Sequence, residues 1–262
     1  MKRKEHLKQL LVDKGLSESP EQAERMILAA QVSVDGAVIT QAGALVALDA
    51  LVEVQDSRRY ASRGGFKLEG ALADFSFDPA GLVCIDVGAS SGGFTDCLLQ
   101  SDAAQVAAVD VAYGQFDWKL REDPRVVLFE RTNIKGASPE SLGAPFDLLV
   151  ADVSFTSLSK LAPKLASLIK EGGDCLTLVK PQFELRKDLV KNGVIYGFDL
   201  HVKAIEKVIA SYQKEGLVIR GLSFSHLLGP KGNREFWIWA TKGGATATID
   251  VQSVVRLAHE VL

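Results

Sequence analysis

Apolar and polar positions follow two different rhythms along this chain, and the change between them divides it. Over residues 4–15, Leu7, Leu10 and Leu11 share one helical face and Gly15 stops the run. Ser19-Pro20-Glu21 opens a second helix, with Pro20 in its first turn and Ala23, Met26, Ile27 and Ala30 on one face. Residues 32–34 and 37–39 flank Asp35-Gly36, a pair that favours a tight hairpin, and 51–54 predicts one more short strand.

From residue 82 strands and helices alternate. Leu82-Val83-Cys84-Ile85-Asp86-Val87 is nearly continuously apolar, as in a strand buried on both faces. Further strands are predicted at 105–109, 126–129, 148–151 and 176–179, with helices near 93–101, 157–170 and 200–214. Two last strands fall at 217–225 and 235–241. The pattern predicts an α/β fold: a Rossmann-like doubly wound sheet, mostly parallel with one late antiparallel strand, behind a small N-terminal α+β domain. The expected boundaries are 1–56 for the small domain, 57–66 for a basic linker and 67–262 for the large domain. The linker expectation rests on Arg58-Arg59-Tyr60-Ala61-Ser62-Arg63-Gly64-Gly65-Phe66-Lys67, which carries no acid.

Composition narrows the function classes. A net charge of −3 gives no global signature of nucleic-acid binding, so clusters of basic residues matter more than the total. Cys84, Cys97 and Cys175 are far apart and form no CxxC pair, which argues against a disulfide framework or a zinc site; no metal is expected. His6, His201, His226 and His259 are scattered and suggest no ligand set. The basic start is followed by no apolar leader core, and no apolar run is long enough for a membrane span. A cytoplasmic protein without a membrane partner is expected.

The strand ending at Asp86 runs into Asp86-Val87-Gly88-Ala89-Ser90-Ser91-Gly92-Gly93-Phe94-Thr95 and then a helix. Small residues there let a ligand approach the backbone at the carboxyl end of the sheet. The spacing is neither a dinucleotide fingerprint nor a P-loop. An acid before the loop suits a cofactor with an amino group and a cationic centre, and Asp110, ending the next strand, is placed to accept hydrogen bonds from ribose hydroxyls. The candidate cofactor residues are Asp86, Gly88, Ala89, Ser90, Gly92, Gly93, Phe94, Asp110 and Val111.

Lys67, Asp152, Lys180 and Glu235 come from four separate segments, and the middle two directly follow apolar strands. Apolar surroundings and a second lysine disfavour the charged form of an amine. A neutral amine can take a proton from a hydroxyl, with a carboxylate to orient it.

Five motifs together resemble the TlyA family, also called hemolysin A. They are Ser62-Arg63-Gly64-Gly65-Phe66-Lys67-Leu68, the 86–95 loop, Asp152-Val153-Ser154-Phe155, Val179-Lys180-Pro181-Gln182-Phe183-Glu184 and Gly232-Asn233-Arg234-Glu235. The resemblance covers nearly the whole chain. It implies an S4 RNA-binding domain joined to an FtsJ-like methyltransferase that uses S-adenosylmethionine to methylate ribose 2′-hydroxyls of ribosomal RNA, with cytidine as target. It implies a Lys-Asp-Lys-Glu tetrad on Lys67, Asp152, Lys180 and Glu235, with Lys180 as base. The chain departs from the S4 pattern where Ala30-Gln31-Val32 and Gln41-Ala42-Gly43 replace expected basic residues. Phosphate contact then falls to Lys2, Arg3, Lys4, Lys8, Arg58, Arg59 and Arg63, on naked RNA or a ribosomal subunit. Phe155 and Tyr113 are candidates for stacking on a base or the adenine. Residues 181–200, rich in basic and turn-forming residues, suggest a mobile flap. A membrane-active hemolysin, a non-catalytic RNA-binding protein and a nucleotide-dependent oxidoreductase remain as alternatives.

Overall fold

The structure is a computed structural model and describes residues 4–17, 19–28, 31–41, 43–54, 59–244 and 247–262. The chain forms two compact units, residues 1–59 and 60–262. Residues 60–66, expected as linker, therefore belong to the second unit. Tyr60 is buried, and Ser62 caps a helix that starts at Arg63 by accepting from the Gly64 N–H.

The first unit holds β1 (Lys4–His6), α1 (Leu7–Asp13), α2 (Pro20–Leu28), β2 (Val32–Val34), β3 (Ala37–Ile39), β4 (Leu45–Ala47) and β5 (Val52–Val54). The β2–β3 turn has Asp35 and Gly36 both at positive φ, as a two-residue hairpin requires. Residues 4–6, read as helix from sequence, are a strand instead. Pairing with β4 overrides the local preference there.

The second unit begins with α3 (Arg63–Asp74), β6 (Val83–Val87), α4 (Gly93–Gln100), β7 (Gln105–Val109), α5 (Trp118–Arg121), β8 (Val126–Phe129) and β9 (Phe146–Ala151). It continues with α6 (Leu158–Leu168), β10 (Ile169–Val179), α7 (Pro181–Glu184), α8 (Phe198–Lys214), β11 (Leu217–Phe224), β12 (Phe236–Lys242) and α9 (Val251–Val261). The sheet order is β11-β12-β10-β9-β6-β7-β8. All neighbours are parallel except β12, which is antiparallel to both β10 and β11, so the doubly wound expectation holds. Strand residues alternate between two buried cores. Ile85, Val87, Leu149 and Ala151 face the side of α6 and α8, whereas Cys84, Leu148 and Val150 face that of α3 and α4. Cys84, Cys97 and Cys175 are buried free thiols.

Register explains where chemistry can gather. Val87 pairs with Val109 and Ala151, and Ala151 with Thr177, so the parallel strands end nearly level. Antiparallel β12 starts where they end, Phe236 opposite Val179, which brings Glu235 to the same edge. Strand order reverses between β6 and β9, the position where such sheets bind ligands. Among the described residues, no helix is long and apolar enough to cross a membrane.

Candidate active site

Two recesses open at this edge and share Gly88, Ser90 and Asp152. The first, about 510 Å³, is lined by the ends of β6, β7 and β9, by Asp110, Val111 and Gln115, and by Thr132 to Lys135 and Asp152 to Thr156. That volume suits a small-molecule site. The second, about 380 Å³, lies between Lys67 with the start of α3, the 88–94 loop, Asp152 and Leu228 to Pro230.

The 86–95 loop is stitched to β7. Gly88 and Ala89 donate to the Val109 carbonyl, and Ser90 N–H donates to Asp110 Oδ2 at 2.8 Å. Those three donors are thus committed inside the protein, and this stretch offers a ligand close approach rather than N–H groups. Gly88 sits at φ 90°, and a Cβ there would lie 2.6 Å from the Asp152 carbonyl oxygen. A side chain on Gly93 would collide with Ser62 Oγ, so that glycine also serves packing of α4 on α3. Asp110 Oδ1 accepts from Ala112 N–H at 2.7 Å. Each oxygen thus has one described donor and retains capacity for another.

Asp86 is also expected to hold the cofactor, and its Oδ1 is buried with no hydrogen-bond partner among the described residues. It is fully buried and, like Gly92, lines neither recess. Its Oδ2 accepts from Thr95 N–H (3.0 Å) and Thr95 Oγ1 (2.7 Å), fastening the first turn of α4. The physical reason is strand parity: Asp86 shares the face of Cys84, which looks towards α4. Burial raises its carboxyl to about 7, opposed by the Thr95 hydroxyl. A carboxyl raised in the folded state holds a proton that the unfolded chain, with an ordinary value of about 3.9, releases. Its stabilising contribution is therefore complete below about pH 4 and lost as pH rises through about 7. Asp86→Asn should flatten the fall in melting temperature across that window; parallel curves for both proteins would count against the assignment.

The four residues singled out for catalysis converge as two ion pairs. Lys180 Nζ lies 2.5 Å from Asp152 Oδ1 and donates to Ser154 Oγ at 2.9 Å. Lys67 Nζ donates to Glu235 Oε2 at 2.5 Å. Glu235 is fully buried, and burial raises its carboxyl although Lys67 and then Lys180 pull it down. A side chain on Gly229 would collide with the Glu235 carboxylate, so this glycine makes room for it. Sequence reasoning missed Gly229, Ser154 as a lysine partner, and the Thr132–Lys135 wall. Polar residues just past the end of β8 were the available signal for that wall.

Phe155 sits at the lip of the larger recess. It is 91% exposed, has φ 59° and packs its ring 5.2 Å from that of Phe183. Positive φ is strained for an aromatic residue. Tyr113 instead receives Arg131 over its ring at 4.1 Å. Within residues 181–200, the expected flap, positions 193 and 195 are held by hydrogen bonds. Asn233 accepts from Ile195 N–H and donates to the Gly193 carbonyl, and buried His201 lies 3.1 Å from the Ile195 carbonyl.

Residues 60–242 match the model of the FtsJ-like methyltransferase family.
The chain belongs to that family.
It is thus a methyltransferase, and its relatives place it among the TlyA proteins. It is 44% identical over 232 residues to the 16S/23S rRNA (cytidine-2′-O)-methyltransferase TlyA of Mycobacterium tuberculosis, covering 87% of each chain. It is 40% identical over 265 residues to YqxC of Bacillus subtilis, covering 98% of this chain and 94% of that one. A solved structure of a hemolysin-named protein from Streptococcus thermophilus superposes with TM-score 0.78 at 36% identity, covering 100% of this chain and 98% of that one.

Of the residues expected to hold RNA, Arg63 is exposed and lines the smaller recess. Lys4 is exposed on β1, Lys8 is paired with Glu24 at 3.1 Å, and Arg59 belongs to the first unit. Lys2, Arg3 and Arg58 lie outside the described residues.

Proposed function

We propose that this methyltransferase uses S-adenosylmethionine to methylate a ribose 2′-hydroxyl, most simply of a cytidine, in ribosomal RNA. The observation that carries the reading is the meeting of two lysine–carboxylate pairs beside a recess that ends at Asp110. Asp110 and Val111 suit the adenosine, and the 88–90 turn suits close approach of the methionyl portion. When bound, the cofactor supplies an electrophilic methyl on a sulfonium. Lys180 would take the proton of the 2′-hydroxyl. Asp152 and Ser154 hold its amine, and Lys67 with Glu235 closes the other side. Alignment of hydroxyl and methyl supplies much of the acceleration. The activity named for the Mycobacterium tuberculosis relative supports an RNA substrate. Arg63, Arg58, Arg59 and the N-terminal Lys2, Arg3, Lys4 and Lys8 contribute phosphate contacts in an S4-like domain and the segment after it.

The deciding experiment is transfer of labelled methyl to 16S RNA, 23S RNA and intact subunits, followed by mapping of the modified ribose. Bound cofactor with no transfer to any of them would end this reading. Phe155 serves as a platform for the target base in the same scheme. Base–aromatic stacking is worth about 1–3 kcal/mol, so Phe155→Ala should raise KM for RNA roughly tenfold. Cofactor affinity should stay unchanged; equal losses in both would assign Phe155 to the cofactor instead.

A further inference from the structure

We infer that Glu184 is a positioning residue: its buried carboxylate bolts the loop carrying Asp152 and Ser154 to the turn that follows Lys180. The inference rests on the reading of Lys180 as base. Glu184 ends α7, four residues after Lys180, and is 4% exposed. Its carboxylate faces the start of α6. Oε1 accepts from Leu158 N–H at 2.5 Å, and Oε2 accepts from Ser157 Oγ at 2.6 Å and Ser159 Oγ at 2.9 Å.

Ser157 occupies the N-cap of α6, yet its side chain caps no backbone N–H of that helix; its hydroxyl lies 2.6 Å from that of Ser159. The cap is delivered from another segment, by an anion where the helix dipole favours one. Lys207 of α8 holds the other side, donating to the Glu184 carbonyl and lying 3.8 Å from Oε2. The loop from Asp152 to Ser157 is consequently tied at both ends. Asp152 N–H donates to the Val87 carbonyl at 3.1 Å, and Glu184 holds Ser157 and Leu158. Between these ties lie Ser154, which receives the Lys180 amine, and Phe155 in its left-handed conformation. Glu184 thus sets the place of both partners of Lys180 while sharing a helical turn with Lys180 itself.

A displacement of about 1 Å can cost on the order of a hundredfold in rate. Glu184→Gln keeps the shape but replaces one acceptor oxygen by a donor, so the three donors of α6 cannot all be served. The expected result is a kcat lowered about tenfold to a hundredfold, with cofactor affinity within about twofold and any rise in KM for RNA, through Phe155, smaller than the fall in kcat. The ε-methylene NMR signals of Lys180 should shift in the variant. Parallel loss of kcat, RNA binding and cofactor binding would mean a loosened fold and overturn the inference, as would an unchanged kcat. If the variant fails to fold, Ser159→Ala retains the carboxylate and should lower kcat about threefold to tenfold; an unchanged rate overturns it equally. Should the wild-type protein transfer no methyl to RNA, the functional reading fails by itself. The NMR comparison then still decides whether Glu184 positions the Lys180 amine, with unshifted signals refuting it.

Discussion

Lys180→Ala should lower the rate of methyl transfer by about a thousandfold, the middle of the range for loss of a general base. Lys180 lines neither recess, so cofactor affinity should stay within about threefold. The pairing of Lys180 with Asp152 leaves two explanations for such a loss: the amine accepts a proton, or its charge merely holds Asp152. Lys180→Arg separates them. A guanidinium keeps the charge and can pair with the carboxylate, but it does not give up its proton in proteins. If proton acceptance is the role, the arginine variant should be nearly as inactive as the alanine variant. Recovery to within about tenfold of wild type would assign Lys180 an electrostatic role. The measurement is single-turnover transfer of labelled methyl to RNA, with cofactor binding followed by calorimetry.

What could be read from sequence, and what could not, separates along a physical line. Strands at 105–109 and 126–129 match because each is a short apolar run between turn signals, although only β7 is central and β8 lies at the sheet edge. Lys67, Asp152, Lys180 and Glu235 were legible as a set because each lies just beyond, or beside, a recognisable element. Residue type does not reveal direction, however. Asp86 and Asp110 look equivalent at strand ends, yet Asp86 lies within β6 and points to Thr95, whereas Asp110 lies past β7 and borders the recess. Strand parity does not separate them, since Asp110 continues the face of Val106 and Ala108 just as Asp86 continues that of Cys84; their position relative to the strand end does. Glu184 was visible only as part of a motif, since its work is done on serines about 25 residues upstream in the chain. Helix α9 had its signal in Asp250, whose side chain accepts from Ser253 N–H, followed by Val254, Val255 and Ala258. The β1–β4 pair had none, because three-residue strands are made by their partner.

Lys67→Met should destabilise the large unit more than a typical single substitution, and by an amount that depends on pH. Glu235 is fully buried and Lys67 is its 2.5 Å partner. Removing one member of a buried pair costs about 3–5 kcal/mol, because the other charge is left uncompensated. For a unit of this size that corresponds to roughly 10 °C in melting temperature. The loss has an escape route, since Glu235 can take up a proton. Its carboxyl is already raised by burial with Lys67 present, and deleting the cation raises it further. A raised carboxyl contributes its stability fully below the unfolded value of about 4.3. That contribution is lost as pH rises through the folded value. The difference between Lys67→Met and wild type should therefore be small near pH 5 and grow towards pH 8. Lys67→Met with Glu235→Gln carries no buried charge at this position and should recover much of the stability at pH 8 without recovering methyl transfer. A pH-independent difference in melting temperature between Lys67→Met and wild type would show that the two side chains are coupled by packing alone, and would remove Glu235 from the electrostatics that surround Lys180.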